Sequence, residues 1–168
     1  MALVADALSN KIKSANDGIS VPKDALDMFW DAVCEYVEAN AQVTYTWVAK
    51  SSSVPPKTDP MITWVSKIKT AGKLSLCNLN TPDGALAAMS AQMNTAASLW
   101  QVEPPAGFSL SPMFIIPTIK LNKSGATDRD SALLSIATDI INGIKAATPA
   151  TSGTHGVYTG SGTFTSIM

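Results

Sequence analysis

Residues 149–168, PATSGTHGVYTGSGTFTSIM, contain no Asp, Glu, Lys or Arg, and twelve of the twenty are Gly, Ser or Thr. A segment so poor in large apolar side chains buries too little surface to offset the entropy lost on ordering. Whatever the rest of the chain folds into, this end has to be completed by contact with something else. Val157, Tyr158, Phe164 and Ile167 are its apolar anchors, suited to seating it on a sheet edge supplied by a neighbour. The sequence therefore divides into one globular domain, residues 1–148, and a Gly/Ser/Thr-rich C-terminal arm, residues 149–168.

The same stretch invites a catalytic reading, because it holds the only histidine, His155, beside several glycines. A phosphate loop of the Walker type needs a lysine after its last glycine, and a dinucleotide loop needs a strand before it and a helix after it. GVYTGSGTF meets neither requirement. As a general base His155 needs an orienting acid and something to deprotonate, and the tail supplies no acid. A Cys34–His155 pair is the remaining arrangement, but Cys34 falls in the middle of a helical pattern beside its apolar stripe, where thiols pack and do not react. Cys34 and Cys77 form no CxxC and no cluster with histidine, so neither a metal site nor a cofactor is expected. The chain is expected not to be an enzyme, with a hydrolase built on His155 as the reading to defeat.

Four helices are expected. Val4, Ala7, Leu8, Ile12 and Ala15 share a face over residues 3–15. Pro22 opens a second helix striped by Leu26, Phe29, Trp30, Val33 and Val37. Thr81, Pro82 and Asp83 start a third, running to about Trp100, and Thr127–Asp128 starts a fourth with Leu133, Ala137, Ile140 and Ile144. Val43, Tyr45 and Trp47 alternate in a strand; MITWVSKIKT, KLSLCNL and MFIIPTIKL are read as further strands, the last an edge because of Pro117. SSSVPPKTDP and EPPAGFSLSP are read as loops. The expected fold class is α+β, about four helices on a small mixed or antiparallel sheet, with the arm extended.

Charge is scarce, 15% of residues, and it is segregated. Asp24, Asp27, Asp31, Glu35 and Glu38 fall within about 80° of one another on the second helix, opposite its apolar stripe. Like charges three or four apart cost that face about 1 kcal/mol in all, which a cationic surface would offset. Lysines crowd the next segment at positions 50, 57, 67, 69 and 73. Asp27, Asp31, Glu35 and Glu38 are thus candidate contacts for Lys67, Lys69 and Lys73, within one molecule or head to tail between copies. The third helix has no charge between Asp83 and Glu103, while Leu86, Met89, Met93 and Trp100 form a stripe. It reads as covered on more than one side, with those four side chains at a subunit interface. Only one of twelve basic residues is an arginine, and the net charge is −1, so specific nucleic-acid binding is not expected. The N-terminus lacks the basic start of a secretory signal, and no apolar run reaches membrane-spanning length.

DALDMFWDAVCEYVEANAQV, residues 24–43, resembles a segment of small virion proteins of tailed bacteriophages, in which an amphipathic helix with a Trp/Ala core steps through Asn-Ala-Xaa-Val into strands. The ending GTHGVYTGSGTFTSIM is similar to the polar termini of the same proteins. The resemblance implies a non-enzymatic part of the neck, tail or baseplate, present in several copies and generally in a ring. Its partners would be copies of itself and other virion proteins, with no small-molecule substrate and no membrane. Its place would be the virion, after synthesis in the host cytoplasm. The alternative is a glycan- or receptor-binding module that uses Tyr45, Trp47 and Trp64 as stacking surfaces.

Overall fold

Helix α2, Pro22–Asn40, shows how the periodicity is used. Phe29, Trp30, Val33, Tyr36 and Val37 are all buried, and the acids lie on the opposite side. The computed structural model describes residues 3–51, 62–74, 82–104, 106–113, 121, 125–147, 150–155 and 158–168. α1, Ala5–Asn16, packs against both α2 and α4, Arg129–Lys145, and Leu8 and Ile12 of α1 share the core with Ala137, Ile140, Ile141 and Ile144 of α4. α1 begins at Val4, which has no side chain able to cap a helix; the Tyr36 hydroxyl takes that part. It accepts from the Val4 N–H at 2.8 Å and donates to the Val4 carbonyl at 3.0 Å, tying the start of α1 to α2. α4 starts with the expected Asp128, whose carboxylate and Ser131 form a reciprocal capping box.

Six strands form one antiparallel sheet in the order β3-β2-β1-β6-β5-β4. They are β1 (Gln42–Ser51), β2 (Ile62–Lys69), β3 (Gln101–Val102), β4 (Phe108–Met113), β5 (Ala150–His155) and β6 (Tyr158–Ile167). The remaining helix, α3, is Pro82–Ala97. The chain is α+β, as expected. The strands expected over KLSLCNL and MFIIPTIKL fall mostly outside the described residues, as does the SSSVPPKTDP loop. EPPAGFSLSP is not all loop: β4 begins within it, and Pro112 is tolerated because β4 is an end strand.

The C-terminal segment differs most from expectation. It is not an arm. β5 and β6 are a hairpin of the chain's own sheet, and β6 lies against β1 from Tyr158↔Ser51 to Ile167↔Val43. The missing contact is therefore supplied from within, and the reason is complementary side-chain size. In an antiparallel pair, opposed residues share a face. Trp47 stands opposite Gly162, and Gly160 opposite Gly153, so the glycines leave the inner face open where β1 brings its largest side chain.

The sheet also curls. Val102 and Phe108 are six Cα steps apart, at most about 22 Å even when extended. The two end strands of a flat six-stranded sheet would lie about 24 Å apart. The connection also turns, with Gly107 at φ +87°, so a flat sheet is impossible. β3 and β4 come into contact instead, and the Phe108 ring reaches 5.4 Å from Trp47 and 5.3 Å from Trp64. An extra residue in β6 between Phe164 and Ser166, opposite Thr44–Tyr45, adds local twist.

α3 joins the core through Met93, Ala96, Ala97 and the stacked pair Trp30–Trp100, 5.7 Å apart. Gly72 lets this helix approach. Its φ is +85°, and a Cβ there would lie 3.0 Å from the Ala96 carbonyl oxygen and 3.2 Å from Leu99 Cδ1. Its own carbonyl accepts from Trp30 Nε1. Gly72→Ala adds left-handed backbone strain to a clash with backbone, and a loss of about 2–4 kcal/mol is expected in urea denaturation.

Candidate functional site

The inner face of the sheet is divided between two cores. Val43, Ile68, Val102 and Ile167 pack with the helices. Beyond them Tyr45, Trp47, Trp64 and Phe108 form an aromatic plug: Tyr45–Trp64 centroids are 4.5 Å apart, and Trp47 meets Phe108 edge-on. Trp47 is 0% and Tyr45 1% exposed. Burial pushes the Tyr45 hydroxyl up to about 12. These rings are the filling of the curled sheet, so the sugar-stacking surface expected of Tyr45 and Trp47 is not available; Trp64 is half-buried against them. The size of the plug follows from the inward glycines opposite it.

His155, at the end of β5, lies flat on Phe108, 4.2 Å between centroids and 8° between planes. The position at which Gly107 would carry a Cβ is 3.5 Å from the imidazole. The ring thus closes the plug at the β4–β5 end. Cys34 is on the other side of the molecule, on α2 near Thr70. Burial, opposed by a hydrogen bond from Thr70 and assisted by the charge of Asp31, pushes its thiol up to about 11. That thiol is a packing group, and the fold does not bring it to His155. Cys77 lies outside the described residues. Among the described residues no group of three or more His, Cys, Asp or Glu is placed to hold a metal ion. Among them, too, no helix is long and apolar enough to cross a membrane.

The expected interface residues are placed as follows. Met93, 1% exposed, and Trp100, 2% exposed, belong to the chain's own core, with Leu86 and Met89 half-buried against it. A stripe at helical spacing records only that one face is covered, and here the molecule covers it itself. The back of α3 is solvent-facing, with Gly84, Ala87, Ala91, Thr95 and Ser98 exposed. Ile167 is buried beside Val43, Tyr158 is half-buried, and Phe164 is in register with Tyr45. Val157 lies outside the described residues. Of the anchors of the supposed arm, Ile167 and Tyr158 are thus used within the chain.

The charged candidates separate into two groups. Glu35 pairs with Lys11 of α1 at 2.7 Å, and Lys69 with Glu103 at 2.7 Å. Thr70 donates to Glu38 from its hydroxyl at 2.6 Å and from its N–H at 2.8 Å, holding that carboxyl below its ordinary value. Lys11 and Glu103 are partners that the clustering of charge along the sequence did not indicate. Asp27, Asp31, Lys67 and Lys73 make no ion pair among the described residues.

What remains is surface. Among the described residues the outer face of the sheet carries no helix, since the core that includes the helices takes the inward residues Val43, Ile68 and Ile167. Thr63, Val65, Lys67 and Lys69 of β2 alternate outward and are exposed. Across β4, β5 and β6 the outward residues Ser109, Thr154 and Thr159 stand side by side and are exposed. These three strands contain no Asp, Glu, Lys or Arg. The outer face is therefore hydroxyl-rich across β4, β5 and β6, with Lys67 and Lys69 on the β2 side and Lys50 of β1 in register with Thr159. On the far side of the molecule, Ser14, Ala15, Met28, Ala32 and Asp31 line a groove of about 310 Å³ between α1 and α2, with Lys11 and Glu35.

Compared with models of protein families, with curated proteins and with solved structures, the chain matches none.

Proposed function

We propose that this chain is a non-enzymatic structural protein of a tailed-bacteriophage virion, used in several copies in the neck, tail or baseplate. It works by association with itself and with other virion proteins, and its place is the virion after synthesis in the host cytoplasm. The observation that carries this reading is the outer face of β4, β5 and β6, where Ser109, Thr154 and Thr159 are exposed side by side on strands that contain no Asp, Glu, Lys or Arg. A sheet face meant to stay in water usually carries Lys and Glu, which are costly to desolvate and so discourage association. Hydroxyls cost less to cover, because they can hydrogen-bond across a contact. The resemblance carried by residues 24–43 points the same way.

Light scattering on the purified full chain, over a range of concentrations, tests the proposal. A mass that rises to a multiple of 17.6 kDa is expected, with regular particles in electron micrographs. Thr154→Lys with Thr159→Lys places two charges on the face and is expected to weaken association at least tenfold, by about 1.4 kcal/mol or more, with the melting temperature kept. A single-chain mass at every concentration, or association indifferent to the two lysines, would refute it.

A further inference from the structure

The association proposed above leaves open what meets the β2 side of the sheet. Two patches fit one another. On β2, Val65 is 57% exposed, with Lys67 two residues along on the same outward face and Lys69 beyond it. An apolar side chain so exposed, beside a Lys67 without an ion pair among the described residues, is a projecting knob with a positive border, Lys69 being held by Glu103. In the α1–α2 groove, Met28 is 40% exposed over the small residues Ala15 and Ala32. Asp31 lines the groove, and Asp24 and Asp27 continue the acidic face of α2 past it. Lys67, Asp27 and Asp31 are without an ion pair among the described residues. Lys67 alternates onto the face of the sheet opposite the one that packs with the helices, whereas the groove lies between two of those helices.

We infer that the occupant is a second copy of this chain: Val65 of one molecule enters the α1–α2 groove of the next, and Lys67 meets Asp31 and Asp27 at its rim. The contact joins two different surfaces, so each copy keeps one of each free and the association propagates. It closes into a ring where the rotation between copies permits and otherwise continues as a filament. The like-charge cost along α2 is relieved by the same contact, since the free aspartates gain a cation. This inference rests on the assembly reading and specifies its partner surfaces.

The test is a charge exchange. Asp31→Lys alone and Lys67→Glu alone each set like charges together, and at about 0.1 M salt each is expected to weaken association at least tenfold. Mixing the two purified variants restores it, because each supplies the surface that the other has lost. Restoration on mixing also excludes misfolding as the cause of the single defects. Raising the salt to about 0.5 M is expected to weaken the wild-type contact, because exposed pairs are screened. If the wild type associates and Thr154→Lys with Thr159→Lys abolishes that, while both charge variants associate normally or mixing restores nothing, this contact is wrong and the assembly reading stands. If the wild type is monomeric throughout, both are wrong.

Discussion

Deleting residues 150–168 is expected to abolish cooperative folding, and not merely to trim a mobile end. The segment holds β5 and β6, and β6 is paired along β1 through most of its length. Without it β1 loses one of its two neighbours, β4 loses its partner β5, and the cover over Trp47 is opened. Domains of this size are stable by only about 5–15 kcal/mol, and the loss of two strands together with their share of the core exceeds that. Near-ultraviolet circular dichroism and a urea titration should show a chain without fixed aromatic packing and without a sigmoidal transition. A truncated protein that melts cooperatively, with the aromatic signal kept, would restore the picture of a dispensable arm.

Trp47→Ala is the second large effect. Trp47 has no exposed surface, meets Phe108 edge-on, and faces Gly162, which has no side chain to move into the vacated space. A cavity of that size cannot collapse, and a loss of about 3–5 kcal/mol is expected, read from the urea midpoint at an unchanged slope. A loss below about 1 kcal/mol would mean that the plug is not the filling of the sheet. Because Trp47 is enclosed, the same variant should not act by removing a recognition surface, and its effect on association should track its effect on stability.

The helices were legible because their signals are local. Leu26, Phe29, Trp30, Val33 and Val37 fix both the period and the buried side of α2, and Asp128 marks the start of α4 by itself. β1 and β2 were legible through alternation, which also places Val65 outward once Trp64, Ser66 and Ile68 are inward. β4 was hidden by the prolines around it, since a proline in an end strand looks like one in a loop. β5 and β6 were hidden by composition. Glycine at 153, 160 and 162 weakens any strand considered alone, and its use emerges only when the tryptophan of another strand is placed opposite. The stripe of α3 failed as an interface signal for a related reason: burial periodicity does not say which molecule provides the cover. Of the charged candidates, local clustering found the acids of α2. It did not show that Glu35 and Glu38 would be satisfied by α1 and Thr70, leaving Asp27 and Asp31 for other contacts.

β6, the strand furthest along the sequence among those described, occupies an interior position between β1 and β5. Its final residues return to the first strand, with Met168 and Gln42 exchanging backbone hydrogen bonds at 2.9 and 3.0 Å. A ribosome must therefore deliver residues as far as β6 before the sheet can close, while the early helices wait with apolar surface uncovered. Such long-range pairing folds slowly and exposes the nascent chain to aggregation. Translation itself thus sets the earliest moment at which the closed sheet exists.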